Sequence, residues 1–309
     1  MPMPHTACSL PFAALALLLA APSLSAQRGA TDRLLARALQ QVHDGLERDV
    51  DLWSDHSTWD NAWVGRTAHF EVRTTHSYGE AIDLAQGLEA MLGHVQQALA
   101  MDFAPSERQH VFVFPDIAAY NTFGNANGEH HSSFYGSFFA PGHAQRPVAT
   151  VWHENPTWLR MQVTHSFVHQ YLAAAFPGRQ IPTWLDEGLA SYFTAYWDYA
   201  WSLGQFEQLK AADQLPRMRQ LLRDGVDRYT PGAATNARLS MLGMTFYWLL
   251  RYREDTRTVT ADEGSAQAPF RDYVTALLHG RPVEGLPFHA LAQDPDALER
   301  ALLEFEFPR

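Results

Sequence analysis

The 309-residue chain contains one cysteine, Cys8, and one lysine, Lys210. A single thiol excludes an intrachain disulfide framework and any multi-thiolate metal site, so a bound metal must be held by histidines and carboxylates. The scarcity of lysine accompanies a formal charge of −11, from 23 basic and 34 acidic residues. An anionic surface of that kind argues against a nucleic-acid or anionic-membrane partner and leaves soluble substrates or protein partners. Three chemical signatures are also missing. Without a G-x-S-x-G elbow, a G-x-x-x-x-G-K-[ST] loop or a G-x-G-x-x-G run, serine-hydrolase, nucleotide-binding and dinucleotide-binding readings have no local support.

Charge is absent from the beginning of the chain as well. Residues 1–26 hold no Lys, Arg, Asp or Glu, and the run from Pro11 to Pro22 is apolar, ending near Ser23, Ser25 and Ala26. This pattern is expected of an export signal cleaved near Ala26, although only the amino terminus and His5 supply the usual positive start. The run is shorter than the roughly 20 apolar residues of a spanning helix, so no transmembrane segment is expected in the mature chain. Cys8 precedes the apolar run instead of ending it, which disfavours a lipid anchor. Its removal would leave a mature protein with no thiol, exported to the periplasm or the medium.

The full chain has the composition of an ordinary globular protein, 46% hydrophobic and 12% aromatic. Thr31 to Asp49 carries Leu34, Leu35, Ala38, Leu39, Val42 and Leu46 at helical spacing. Residues 68–75 alternate as a half-buried strand, and Tyr78 to Asp102 then shows helical periodicity. Val111 to Phe114 and Val148 to Trp152 read as further strands. Between them, Asn121 to Arg146 reads as a glycine-containing loop with His130, His131 and His143. From Thr157 onward the pattern is helical over 157–175, 184–198, 204–224, 237–253, 268–279 and 296–305. Strands first and helices afterwards predict an α+β fold. The expected division is a signal over 1–26, a helical arm over 27–66, a main domain over 67–253 and a helical extension over 254–309.

The chemistry concentrates in two segments. His165-Ser166-Phe167-Val168-His169 places two histidines at i and i+4, on one face of a helix. Eighteen residues beyond His169, Glu187 lies in Trp184-Leu185-Asp186-Glu187-Gly188-Leu189-Ala190-Ser191-Tyr192-Phe193, on a helix begun by Pro182. In the H-E-x-x-H motif such histidines bind zinc and the intervening Glu is the general base; here Ser166 occupies that place. A histidine pair alone is weak in a chain with 15 histidines. A carboxylate on a second helix could complete a three-ligand site with an open fourth position.

Together the two segments resemble the gluzincin metallopeptidases, whose aminopeptidase branch has a closely similar Trp-Leu-x-Glu-Gly-x-Ala run. The order of the preceding elements is similar to that of peptidase-MA-like secreted bacterial domains, over roughly residues 67–253. The resemblance implies a zincin-like fold with a small mixed sheet, one long helix in the first half and a zinc-helix pair. It also implies a helical C-terminal part, Zn2+ held by His165, His169 and Glu187, and a peptide or protein substrate. Thr164 and Ser191 become candidates for supporting the ligands. Tyr247, in a helical aromatic run, becomes the candidate electrophile, with core packing as its ordinary alternative. Trp152 and His153 end the strand where a cleft edge would lie, able to pair with an extended peptide.

Ser166 departs from the family pattern. A serine hydroxyl does not act as a carboxylate base near pH 7, and a positioned base contributes typically about 10²–10⁴-fold. Glu154 or Asp186 would have to reach the water to compensate, and Asp186, adjacent to a ligand on its helix, is expected to point elsewhere. Three functional readings stand. They are a zinc hydrolase of peptide bonds weakened by loss of the base, a non-catalytic pseudopeptidase that binds peptides or envelope partners, and a metal-free structural domain.

Overall fold

The computed structural model of the chain describes residues 54–126, 137–138, 148–224, 233–253, 258–259, 268–286, 288–289 and 293–308. The expected signal, the helix expected over Thr31 to Asp49, and His130, His131 and His143 lie outside the described residues.

Asp55–Arg309 forms one unit, built on a five-stranded mixed sheet. Strands β1 (Trp63–Arg66) and β2 (Phe70–Thr74) form an antiparallel hairpin, closed where Thr67 N–H donates to the Phe70 carbonyl. Helix α1 (Tyr78–Leu99) then crosses to β3 (Gln109–Phe114), which lies parallel to β2. Helix α2 (Ile117–Ala126) follows, then the short strand β4 (Ser137–Phe138) and β5 (Val148–Val151). β5 runs parallel to β3 and carries β4 antiparallel on its other side, in the order β1-β2-β3-β5-β4.

Alternation along β3 sets the two faces of the sheet. Val111 and Val113 enter the main core with Phe70, Val72 and Val148, whereas Phe114 packs with Tyr120 of α2 and Ala149 in a smaller cluster. Full burial of a side chain such as Phe70 or Val72 contributes about 1.5–3 kcal/mol. α1 covers the main-core face. Ser77 caps it by accepting from Glu80 N–H, the Ser-x-x-Glu pattern of a helix start. Gly65 permits the close approach of β1, since a Cβ there would stand 2.4 Å from the Ala81 backbone carbon.

The second half is helical: α3 (Pro156–Ala175), α4 (Thr183–Ala195), α5 (Tyr199–Ala211), α6 (Met218–Asp224), α7 (Ala233–Arg251), α8 (Ala268–His279) and α9 (Pro295–Glu304). Two short strands, β6 (Tyr252–Arg253) and β7 (Thr258–Val259), pair between α7 and α8. Asn155 caps α3 by accepting from the N–H groups of Thr157 and Trp158, with Pro156 at the first helical position. α3 is buried on nearly every side between Gln162 and Leu172. That is the signature of a helix enclosed by neighbours rather than laid on a surface. The sheet meets it through Phe167, edge-on to Phe70 at 5.1 Å, and α4 packs against it from the other side. The molecule is thus an α+β protein with a small mixed sheet and mostly helical content.

Several sequence expectations are corrected. β1 falls inside the stretch expected to be a helical arm over 27–66, where Trp63 and Gly65 point to the α1 side of the hairpin. The helix expected over 204–224 is two, α5 and α6, interrupted before Pro216, whose missing N–H and fixed φ disfavour continuation. α2 extends into the stretch expected to be loop, and β4 lies within it. The expected extension over 254–309 shares the main core, because Phe270, Val274, Leu298 and Leu302 are buried with the residues of α3 and α4.

Candidate metal centre

α3 and α4 bring three donors together. His165 and His169, one turn apart on α3, present their Nε2 atoms to the same point, 3.3 Å from each other. Glu187 of α4 places Oε2 3.4 Å from His165 Nε2 and 3.6 Å from His169 Nε2. Ligand atoms each about 2.0–2.1 Å from a tetrahedral ion lie roughly 3.3–3.4 Å apart, so these separations fit one ion without rearrangement. Among the described residues this is the group of His and carboxylate side chains whose donors converge closely enough to hold a metal ion. Glu187 is 2% and His169 6% exposed, which keeps bulk water from competing for the donors.

A further carboxylate stands behind the site. Asp186 Oδ1 lies 2.6 Å from Nδ1 of His169, and the pair is buried. The two nitrogens of an imidazole face opposite directions, so the adjacent residues Asp186 and Glu187 reach opposite ends of one ring. A carboxylate on Nδ1 fixes that proton, orients the ring and leaves Nε2 as the donor. Asp186 thus meets His169 on the side of the ring opposite Nε2, a contact the sequence reading missed. The signal available was the Asp-Glu pair itself, at a helix start opposite two histidines.

Charge is shared unequally. Burial pushes His165 below the ordinary imidazole value. Burial also opposes charge on His169, but the attraction of Asp186 and Glu187 outweighs it and pushes that imidazole up to about 9. Burial likewise opposes ionisation of Glu187, and the neighbouring His169 and His165 overcome it, holding the carboxyl well below its ordinary value. The two carboxylates thus favour a proton on His169 over one on His165.

The remaining candidates fall elsewhere. Ser166 is 2% exposed on α3. Glu154 is exposed in the turn before α3, and His165 is about 13 Å along the helix from Pro156 at 1.5 Å per residue. Thr164 supports the helix pair by accepting from Trp197 Nε1 at 2.7 Å. Tyr247 stacks on Tyr199 at 4.6 Å, with the Arg251 guanidinium 5.1 Å from its ring centre. That is an aromatic packing position, and the residues around the cleft beside His165 do not include it. Trp152 continues the pairing of β5, since its backbone N–H donates to Phe114, while its indole donates to Glu80. β4 covers Val148 and Ala149 on the outer side of β5.

A cleft of about 170 Å3 opens beside His165, between α3, α4, α5 and α7. Its walls are mainly apolar, from Trp158, Met161, Leu239 and Met244, and Ser191 lies in it rather than on a ligand. Among the described residues, no helix is long and apolar enough to cross a membrane. Comparison of the chain with family models, curated proteins and solved structures finds no match to any of them.

Proposed function

We propose that this chain is an exported, gluzincin-like zinc protein of the peptidase type whose hydrolytic capacity is weakened at Ser166. The observation that supports this reading most is the convergence of His165 Nε2, His169 Nε2 and Glu187 Oε2 at mutual distances of 3.3–3.6 Å. A two-histidine, one-carboxylate set is the donor chemistry of a catalytic zinc with an open position. Zinc bound there would polarise a carbonyl and acidify a water molecule. The chain's own contribution is to hold the donors. Asp186 fixes the His169 tautomer, burial of α3 and α4 fixes the rotamers, and the cleft beside His165 admits a substrate group.

No carboxylate stands in the sequence position of the general base. Ser166 can donate or accept a hydrogen bond but does not take a proton at neutral pH. A pseudopeptidase that binds peptides without cleaving them is the second reading, favoured by Ser166 together with the intact cleft. Export rests on the uncharged apolar start of the chain.

The test is the Ser166→Glu variant, assayed with zinc on a mixed peptide substrate. The wild type is expected to be feeble, and the variant is expected to gain about 10²–10⁴-fold, the typical contribution of a base. Strong wild-type hydrolysis abolished by chelation would overturn the weakened-enzyme reading. A zinc-loaded variant with no gain would favour the binding module.

A further inference from the structure

We propose that a second pocket, on the face of α7 turned away from the His165 cleft, is a binding site for one uncharged aromatic ring. The inference goes beyond the metal-centred reading and shares no residue with it.

Helical spacing separates the two pockets. Along α7, Leu239, Ser240 and Gly243 line the cleft beside His165, whereas Leu242, Thr245, Phe246 and Leu249 line the second pocket. Side chains of α4, α6, α8 and α9 close it, among them Trp184, Met218, Phe270 and Leu298.

Its size is that of a single ring. The pocket measures about 130 Å3, close to the roughly 150 Å3 of an apolar cavity that takes benzene and several times the share of one water molecule. Packed interiors keep few voids larger than a water, so a space of this size within the main core stands apart from ordinary packing gaps. Trp184, Leu222 and Leu249 are half-buried, whereas Met218, Leu242 and Phe246 are buried. The first three therefore mark the mouth and the others the floor.

The wall selects against charge and polarity. None of the described residues lining the pocket is Lys, Arg, Asp, Glu or His. The Thr245 hydroxyl is committed, donating to the Met241 carbonyl at 2.7 Å. Trp184 and Tyr273 carry the remaining polar side-chain atoms, and neither buries one without a partner. A charged guest would give up water without gaining a counter-charge, and no buried polar atom of these side chains waits for a hydrogen bond.

The aromatic character of the wall decides between a ring and an alkyl group. Five of its side chains form a linked series: Trp184 lies 6.0 Å from Phe246, Phe246 5.2 Å from Phe270, Phe270 4.8 Å from Phe288, and Phe288 5.2 Å from Tyr273. Each pair is tilted by 52° or more, so the series turns ring edges beside ring faces. An aromatic guest gains tilted ring contacts beyond the burial of its area, whereas an aliphatic guest of the same size gains the burial alone.

The experiment titrates the full chain with toluene, methylcyclohexane, benzylamine and benzoate, read by calorimetry and by carbon-13 spectra of the leucine methyls. Toluene is expected to bind once per chain with a dissociation constant of about a millimolar or below, as transfer of its carbons from water allows. Methylcyclohexane should bind roughly two- to tenfold more weakly, and the two charged analogues about tenfold or more weakly than toluene. Toluene should shift the methyl signals of Leu222, Leu242 and Leu249 and leave that of Leu239 in place. Leu222→Phe, which fills the mouth, should weaken toluene binding about tenfold or more, whereas Leu239→Phe, in the other cleft, should leave it unchanged. No saturable toluene binding, shifts at Leu239 in place of Leu242 and Leu249, or charged analogues bound as tightly as toluene would overturn the proposal. Methylcyclohexane bound as tightly as toluene would overturn the choice of a ring. The methyl shifts are read in the wild type, so they decide the matter even if Leu222→Phe fails to fold. Toluene binding in protein that takes up no zinc would support the pocket and contradict the metal reading alone.

Discussion

Replacing Asp186 tests the metal centre through a residue that is not itself a ligand. In Asp186→Asn the side chain keeps its size and an acceptor oxygen, but the negative charge 2.6 Å from His169 Nδ1 is lost. Outer carboxylates of this kind are worth about 10–100-fold in metal affinity, or about 1.4–2.7 kcal/mol. A second effect opposes the first. With its imidazole pushed up by Asp186 and Glu187, His169 favours the protonated form, and zinc must displace that proton. Removing Asp186 lowers the His169 value and relieves part of this competition. The loss of affinity should therefore be small at pH 7, a few-fold, and should approach its full size near pH 9.5, where little proton remains to displace in either protein. Competition against a zinc-responsive chelator at both pH values measures it, with circular dichroism to verify folding. An affinity unchanged at both pH values, or a loss that shrinks as pH rises, would refute the reasoning.

Two further predictions concern the framework. Burial pushes the Glu80 carboxyl up to about 7 from its ordinary 4.5, against the hydrogen bond donated by Trp152 and with help from Asp83. A raised carboxyl holds its proton more tightly folded than unfolded, so the stability it contributes is complete below about 4.5 and lost as pH rises through about 7. Glu80→Gln keeps an acceptor for Trp152, and its melting temperature should fall less than that of the wild type between pH 5 and pH 8; parallel curves would contradict this. Gly65→Ala would place a methyl against the Ala81 backbone and should cost about 1–3 kcal/mol in urea unfolding. Gly93→Ala, in an open position on α1, should instead gain up to about 1 kcal/mol. Equal effects would mean that β1 and α1 do not approach as described.

Much of this arrangement was legible from period and punctuation. The alternation at 68–75 marked β2, the apolar run at 111–114 marked β3, and the spacing from Ala81 to Leu99 marked α1. The helical pattern from Thr157 onward marked α3, but not its burial on nearly every side, since a helix enclosed by neighbours has no polar stripe to show. β1 was missed because four residues cannot establish a period. The His165, His169 and Glu187 set could be read from spacing, but the Asp186 contact depends on the angle between α3 and α4. The cleft escaped altogether, as it is assembled from four helices whose mutual placement no local pattern encodes.

The central claim is that His165, His169 and Glu187 bind one metal ion. Equilibrium dialysis of the mature wild-type protein and of His169→Ala against zinc, followed by elemental analysis, tests it most directly. The account predicts about one zinc per wild-type chain and none retained by a folded His169→Ala. A wild-type protein that takes up no zinc, or a His169→Ala variant that binds it equally well, would contradict it.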